Sequence, residues 1–181
     1  MHYSPDGRFL AIGSHDCTIY IYEGTRCCSK LKKHSGAITA LDWSADSSYI
    51  RSNCTGYELL FWKIDENGIG KQDPDGRSNT TGTLWATGHT KFGWHVDAIV
   101  PKGCDYTHVN GVDCDVDRNY VVTGDDFGLV NVFRNPCRAG SMPFSLRGHS
   151  EHVVRVAFAD GDKYIFSVGG QDETLMQWRK C

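Results

Sequence analysis

The stretch SPDGRFLAIGSHDCTIYIY, residues 4–22, shows the pattern that decides the fold: a polar turn, an apolar run, a second turn, and an apolar run that ends in an aromatic side chain. The pattern recurs as SADSSYIRSNCTGYELLFW (44–62), DVDRNYVVTGDDFGLVNVF (115–133) and ADGDKYIFSVGGQDETLMQW (159–178). The closing aromatics lie 40, 71 and 45 residues apart, at Tyr22, Trp62, Phe133 and Trp178. Periods of about 40 to 45 residues are typical of β-propeller blades. We therefore expect an all-β propeller with one insertion.

The length of 181 residues accounts for about four such blades. We expect a partial propeller that belongs to a larger, tandem structure. Its segments are an incomplete first blade at 1–34, a second blade at 35–87 with a polar insertion at 65–82, a rim loop and third blade at 88–147, and a C-terminal blade at 148–181. Alternating apolar residues predict three strands in each blade. A weaker outer strand is expected near residues 29–32, 83–87 and 144–146, and the polar segment 67–82 is expected to be a mobile excursion.

Composition limits the classes of partner. The net charge of −3 and the isoelectric point near 6.2 provide no general basic field for nucleic acid. No apolar stretch approaches the roughly 18 residues that cross a bilayer, so we expect no membrane partner. The eight cysteines lack a C-x-x-C spacing, which favours reduced thiols and a cytoplasmic location.

Histidines and tryptophans recur at fixed places in the units. His34 and His149 precede the first strand of their blades, and Trp62 and Trp178 close the third strand. This arrangement resembles the WD-repeat propeller, in which a histidine, a strand hydroxyl, a turn aspartate and a tryptophan form a hydrogen-bonded set in each blade. The resemblance implies a full set in the last blade and partial sets elsewhere: His149, Ser167, Asp172 and Trp178; His34 and Trp62; and Asp16. The aspartate position holds Gly56 in the second blade and Phe127 in the third, so these two blades should be less tightly pinned.

A closer resemblance covers nearly the whole chain. The segments HYSPDGRFLAIGSHDCTIYIY, LDWSADSSYI, WATG, TGDDFGLVNVF and GGQDETLMQWR together resemble the end of the echinoderm microtubule-associated protein-like family. That resemblance implies two joined propellers that bind tubulin. The implied function is a non-catalytic scaffold that binds tubulin or microtubules through a propeller face or rim. Its implied location is the cytoplasmic cytoskeleton, with the ciliary or flagellar axoneme as a variant.

The sequence does not support catalysis, a cofactor or a metal. Asp126-Phe127-Gly128 matches the metal-binding triplet of protein kinases, but no glycine-rich phosphate loop or H-R-D run accompanies it. A tight turn that needs Gly128 is the better interpretation. His149 and His152, with Cys137, lack the spacing of a paired zinc motif. We therefore expect that this protein is not an enzyme.

Two groups of residues are candidate partner contacts. The run 26–34 is the one concentrated positive patch, and Lys30, Lys32 and Lys33 can steer the chain onto an acidic protein. The alternative is an edge strand that uses lysines to prevent aggregation. In the insertion, Trp94 and His95 either contact a partner or seal a loop against the scaffold.

An alternative function is a general WD-repeat adaptor, such as the substrate receptor of a ubiquitin ligase. Such receptors commonly carry W-D-x-R at the end of the third strand, whereas this chain has Trp62-Lys63 and Trp178-Arg179.

One further residue needs a partner. Arg51 lies in the middle of an apolar strand, where an unpaired charge is costly, so it must reach a carboxylate or solvent.

Overall fold

The computed structural model describes residues 1–93, 95–159 and 161–179. The predicted all-β class is confirmed, since the strands form four antiparallel sheets. Helical structure among the described residues is limited to one α-helical turn, α1 (Gly76–Asn79), and one 3₁₀ turn (Tyr106–His108). The chain divides into two compact units, Met1–Phe92 and Gly93–Cys181, and each contains two sheets.

The first sheet of the first unit has four strands in chain order: β1 (His2–Tyr3), β2 (Leu10–Gly13), β3 (Thr18–Glu23) and β4 (Arg26–Lys32). Short turns join consecutive strands, so neighbours pair antiparallel. Successive side chains of a strand point to opposite faces. This alternation buries Leu31 on β4 and leaves Lys30 and Lys32 exposed.

The second sheet of this unit is built in the same way, from β5 (Ile38–Trp43), β6 (Tyr49–Cys54), β7 (Leu59–Ile64) and β8 (Gly70–Gln72). Trp43, Ile50 and Trp62 are buried and share one apolar core with Ile19 and Ile21 of the first sheet. Burial of such side chains contributes about 1.5–3 kcal/mol each. The two sheets of this unit are therefore held together by a common core.

The outer strand of the second sheet corrects the sequence interpretation. We expected it at 83–87, but the strand paired with β7 is β8, which lies inside the polar insertion 65–82. The expectation of a mobile excursion at 67–82 is also corrected, because this segment contains a strand of the sheet and the helical turn α1. Residues 83–87 form only a single bridge, between Trp85 and Ser44.

A tight turn explains the position of β8. The Asp65 carboxylate accepts hydrogen bonds from the backbone N–H groups of Asn67 and Ile69, at 2.9 Å each. Gly68 has a φ of +74°, which favours glycine, and the chain then returns directly along β7. The sequence hides this strand because a short edge strand needs few apolar side chains.

The second unit contains a four-stranded and a three-stranded sheet. The first is formed by β9 (Val109–Cys114), β10 (Tyr120–Asp125), β11 (Leu129–Arg134) and β12 (Phe144–Arg147), and the second by β13 (Val153–Ala159), β14 (Tyr164–Gly169) and β15 (Leu175–Arg179). Val122 and Val130 share an apolar cluster with Val153, Val156 and Ile165. This cluster joins the two sheets of the unit.

The segment before β9 is partly buried. Val96 and Ile99 are about 1 % exposed and pack with Val109 and Phe133. Val96 also forms a parallel bridge with Cys137.

Among the described residues, the helices are too short and too polar to cross a membrane.

Candidate functional site

The last sheet brings together the four residues of the full predicted set, which we call the His149 clamp: His149, Ser167, Asp172 and Trp178. His149 Nε2 lies 2.7 Å from Ser167 Oγ, and Trp178 Nε1 donates to the same hydroxyl over 2.8 Å. His149 Nδ1 lies 3.0 Å from Asp172 Oδ2. Burial acts to raise the pKa of Asp172, but the N–H of Thr174 and the His149 ring hold this pKa below its usual value. The clamp ties the segment before β13 to β14 and β15.

The second sheet contains a matching set, which we call the His34 clamp: His34, Ser52, Glu58 and Trp62. His34 Nε2 lies 2.7 Å from Ser52 Oγ, and Trp62 Nε1 donates to this hydroxyl over 2.8 Å. His34 Nδ1 lies 3.2 Å from Glu58 Oε2. The geometry repeats that of the last sheet, with a glutamate in place of the aspartate.

Glu58 corrects the expectation of a loosely pinned second blade. The repeat pattern of the sequence placed Gly56 at the carboxylate position and overlooked Glu58, two residues later. The backbone N–H of Ser35 and the Cys54 thiol, with smaller contributions from the Ser35 and His34 side chains, lower the pKa of Glu58 to about 2. Burial lowers the pKa of His34, an effect that Glu58 partly offsets. The signal available in the sequence was an acidic residue directly before a third strand.

The first sheet holds Asp16 in a turn. Its carboxylate accepts hydrogen bonds from the Tyr20 hydroxyl over 2.6 Å and from the Thr18 N–H over 3.1 Å. Asp16 and His34 both line one open cleft of about 400 Å³, together with Cys17, Thr18, Lys32 and Lys33. Asp16 therefore orders a turn beside the His34 clamp.

The third sheet uses a different network, which the sequence comparison missed. Asp125 accepts from the Leu129 N–H and from Asn131 Nδ2, both over 2.9 Å, and Asn131 Oδ1 accepts from Ser145 Oγ over 2.6 Å. The side chain of Phe127 is 56 % exposed. Gly128 has a φ of +75°, so the interpretation of this triplet as a tight turn is confirmed.

Arg51 pairs with a carboxylate, which decides between the two partners that the sequence left open. Its Nε lies 3.0 Å from Asp42 Oδ2, and its guanidinium carbon lies 4.5 Å from the centroid of the Trp85 ring. Asp42 is fully buried and also accepts from the Thr87 hydroxyl and the backbone N–H groups of His89 and Thr90, at 2.6, 2.8 and 3.1 Å. The pair therefore anchors the chain after residue 83 to the second sheet.

The candidate partner surface is the basic strand, which we define as β4 together with the adjoining Lys33. Lys30, Lys32 and Lys33 are exposed. Lys30 Nζ lies 5.6 Å from the centroid of the Tyr20 ring, a cation–π distance. Arg26 contributes less positive charge to the surface, because it forms a 2.7 Å ion pair with Glu23. The charge of the basic strand is therefore concentrated at its C-terminal end.

The second candidate contact is only partly described. Trp94 lies outside the described residues. The backbone carbonyl of His95 accepts a hydrogen bond from the Cys137 N–H over 2.7 Å, and Val96 beside it is buried. The backbone at His95 is thus tied to the scaffold of its own unit.

Sheets of three or four antiparallel strands, two of which carry a hydrogen-bonded histidine–serine–tryptophan set, define a WD-repeat β-propeller protein. The family described as "Echinoderm microtubule-associated protein second beta-propeller" matches residues 1–180, and the chain belongs to this family. The family resemblance noted in the sequence is thereby confirmed.

Several proteins are similar to this chain over nearly its whole length. The chain is 53 % identical over 182 residues to the "Ciliary WD repeat-containing protein ctxp80" of Euplotoides octocarinatus, covering 99 % of this chain and 25 % of that protein. It is 42 % identical over 188 residues to mouse "Echinoderm microtubule-associated protein-like 1", covering 99 % of this chain and 22 % of the relative. It is also 42 % identical over 188 residues to the "77 kDa echinoderm microtubule-associated protein" of Strongylocentrotus purpuratus, covering 98 % and 26 %. The chain thus spans about a quarter of the length of these relatives.

Proposed function

We propose that this chain is part of a non-catalytic scaffold that binds tubulin or microtubules in the cytoplasmic cytoskeleton, including the ciliary axoneme. The observation that carries the proposal is membership of the second-propeller family over residues 1–180. Two of the relatives described above are named microtubule-associated proteins and a third is named a ciliary protein. The partners are proteins, and neither nucleic acid nor membrane is among them.

The arrangement of polar residues supports a scaffold. The buried hydroxyls and imidazoles of the two clamps and their carboxylates bond to one another and to backbone N–H groups. Groups used in this way hold strands and turns in place. The loops and edges that they position are then free to recognise a partner.

The basic strand is the proposed contact with tubulin, an acidic protein with acidic tails. Leu31 is buried between Lys30 and Lys32, so both ammonium groups project from the same face of β4, and Lys33 follows directly. Complementary charge raises the association rate and loses effect as salt rises. Since the Debye length is about 8 Å at physiological ionic strength, these neighbouring charges act together only at short range.

Co-sedimentation with taxol-stabilised microtubules tests the proposal. The triple variant Lys30→Ala, Lys32→Ala, Lys33→Ala should bind more weakly than the unchanged protein at low salt, and the difference should shrink as salt rises. A matched variant, Lys63→Ala, Arg77→Ala, Lys102→Ala, removes the same charge from exposed positions elsewhere.

The outcomes separate the alternatives. Equal weakening by the two triple variants would attribute the effect to net charge and would remove the basic strand from the proposal. No co-sedimentation of the unchanged protein at any salt concentration would contradict microtubule binding itself and would favour the general WD-repeat adaptor.

A further inference from the structure

Three different metal-ligand atoms converge beside the second sheet: His34 Nδ1, Cys54 Sγ and Glu58 Oε2. All three lie within 4.8 Å of one another. The two distances to the shared carboxylate oxygen are 3.2 Å from His34 and 3.1 Å from Cys54. Ligands on a tetrahedral Zn²⁺, at about 2.0–2.3 Å from the metal, are separated by similar distances. Small side-chain movements therefore suffice to place one ion between them.

The hydrogen bonds of this cluster show what a metal would replace. Cys54 Sγ donates to Glu58 Oε2, and because a carboxylate only accepts, His34 Nδ1 also donates to that oxygen. A cation between the three atoms displaces both protons. The thiol proton leaves, and the imidazole proton moves to Nε2, which lies 2.7 Å from Ser52 Oγ. The Ser52 hydroxyl turns its own hydrogen out of this contact, so that its two lone pairs accept from His34 Nε2 and from Trp62 Nε1. The exchange releases one proton, and the thiolate and carboxylate balance the charge of Zn²⁺.

The last sheet provides an internal comparison. Cys54 pairs with the first residue of β5, and Gly169 pairs with the first residue of β13, each beside the same irregularity of register. The two positions are therefore equivalent, but the last sheet has no side chain there. A Cβ added at Gly169 would lie 1.7 Å from Asp172 Oδ1, so that sheet has no room for a thiol.

The second sheet accommodates its thiol by using a longer acid from one position further along. Asp172 follows Gly169 by three residues, whereas Glu58 follows Cys54 by four. Glycine with aspartate in one clamp corresponds to cysteine with glutamate in the other. The second sheet thereby gains a third ligand atom on the face where histidine and carboxylate already meet.

We propose that His34, Cys54 and Glu58 form a zinc site with three protein ligands and a fourth position open to water. Imidazole, thiolate and carboxylate are all zinc ligands. The side chains of His34 and Cys54 are buried, and that of Glu58 is 33 % exposed, so the ion enters from the Glu58 side. Ser52 acts as the outer partner that fixes the orientation of the imidazole, as hydrogen-bonded partners do in metal sites.

Metal titration of the reduced, chelator-treated protein tests this proposal. Zn²⁺ is added in competition with a chromophoric zinc chelator, and Co²⁺ alone serves as the spectroscopic probe. The expected results are one bound equivalent, a thiolate-to-Co²⁺ charge-transfer band that Zn²⁺ removes, and release of about one proton per Zn²⁺. These measurements need no variant, so they do not depend on the folding of a mutant.

Variants then assign the ligands. Cys54→Ser and Glu58→Gln should each lower zinc affinity by more than the roughly 10- to 100-fold that loss of an outer partner costs. Cys27→Ser, at an exposed cysteine of the basic strand, should leave affinity unchanged. A Co²⁺ spectrum without the charge-transfer band, or equal zinc affinity of Cys54→Ser and the unchanged protein, would overturn the proposal. This readout does not depend on tubulin binding.

Discussion

Replacing Asp42 with alanine should destabilise the protein far more than an ordinary substitution. The change removes the carboxylate that pairs with the Arg51 guanidinium. Arg51 is only 6 % exposed, so water cannot replace that partner fully. The change also removes the acceptor of the Thr87 hydroxyl and of the backbone N–H groups of His89 and Thr90. Both effects act in the folded state alone.

The structure sets the magnitude of that loss. Removing one partner of a buried ion pair costs about 3–5 kcal/mol, because the remaining charge loses its counter-ion. Three donors also lose their acceptor, and hydrogen bonds to charged groups are worth about 1.5–3 kcal/mol each. This second cost overlaps with the first, so the two are not added. We therefore expect Asp42→Ala to cost at least about 3 kcal/mol. Total stability is typically about 5–15 kcal/mol, so the loss should be easy to measure.

Urea unfolding measures the effect as a fall in the midpoint at unchanged slope. Asp75→Ala is the matched control, because this exposed aspartate makes no side-chain cap bond and should change stability by only about 0.5 kcal/mol. The double variant Asp42→Ala, Arg51→Met should be more stable than Asp42→Ala alone, since it removes the stranded charge. A loss below about 1 kcal/mol for Asp42→Ala, or no recovery in the double variant, would refute the reasoning.

The pH dependence provides an independent check. Burial acts to raise the pKa of Asp42, but the Arg51 charge and the contacts with His89 and Thr87 hold this pKa well below its usual value. A carboxyl with a depressed folded-state pKa contributes stability that is complete above its unfolded pKa of about 3.9. That contribution is lost as the pH falls through the folded-state pKa. The stability difference between the unchanged protein and Asp42→Ala should therefore be constant near neutral pH and shrink below about pH 4.

The clamps give two further predictions. Ser167→Ala and Ser52→Ala should each cost about 1–3 kcal/mol in urea unfolding, because a histidine and a tryptophan lose their shared partner, whereas Ser150→Ala at an exposed position should be near neutral. Gly169→Ala should cost at least the roughly 1–3 kcal/mol of overpacking, because the added methyl overlaps the Asp172 carboxylate, and a stability equal to that of the unchanged protein would contradict this contact.

The sequence predicted those parts of the fold that the spacing of apolar residues determines. Alternation of apolar residues located the inner strands of each sheet, because each of them buries one face or both. The resemblance to WD repeats also indicated the full set of the last sheet and the His34 and Trp62 positions of the second sheet, but it did not identify Ser52. The outer strand β8 was not visible, because the turn at Asp65 and Gly68 determines it and its side chains bury little surface.

The remaining differences come from contacts between residues distant in sequence. Asp42 meets its partners near residues 87–90 only in the folded chain, so the sequence showed that Arg51 needed a partner but not which one. Glu58 was overlooked because the sequence pattern fixes the position of the carboxylate, whereas the longer glutamate side chain reaches the imidazole of its own blade from one position further along the strand pair. Side-chain length and chain position compensate for each other, and a pattern of letters does not record that compensation.

The position of the His34 clamp links the stability of the second sheet to the proposed binding surface. His34 directly follows Lys33, and its ring is held by Ser52 and Glu58 of the second sheet. Leu31, two residues before Lys33, is buried in the core that both sheets share. The end of the basic strand is therefore fixed on both sides, so its ammonium groups meet a partner without first losing backbone freedom. Ser52→Ala, which loosens the clamp without removing a charge, should therefore weaken co-sedimentation with microtubules. If the basic strand acted by its charge alone, this variant would bind as the unchanged protein does.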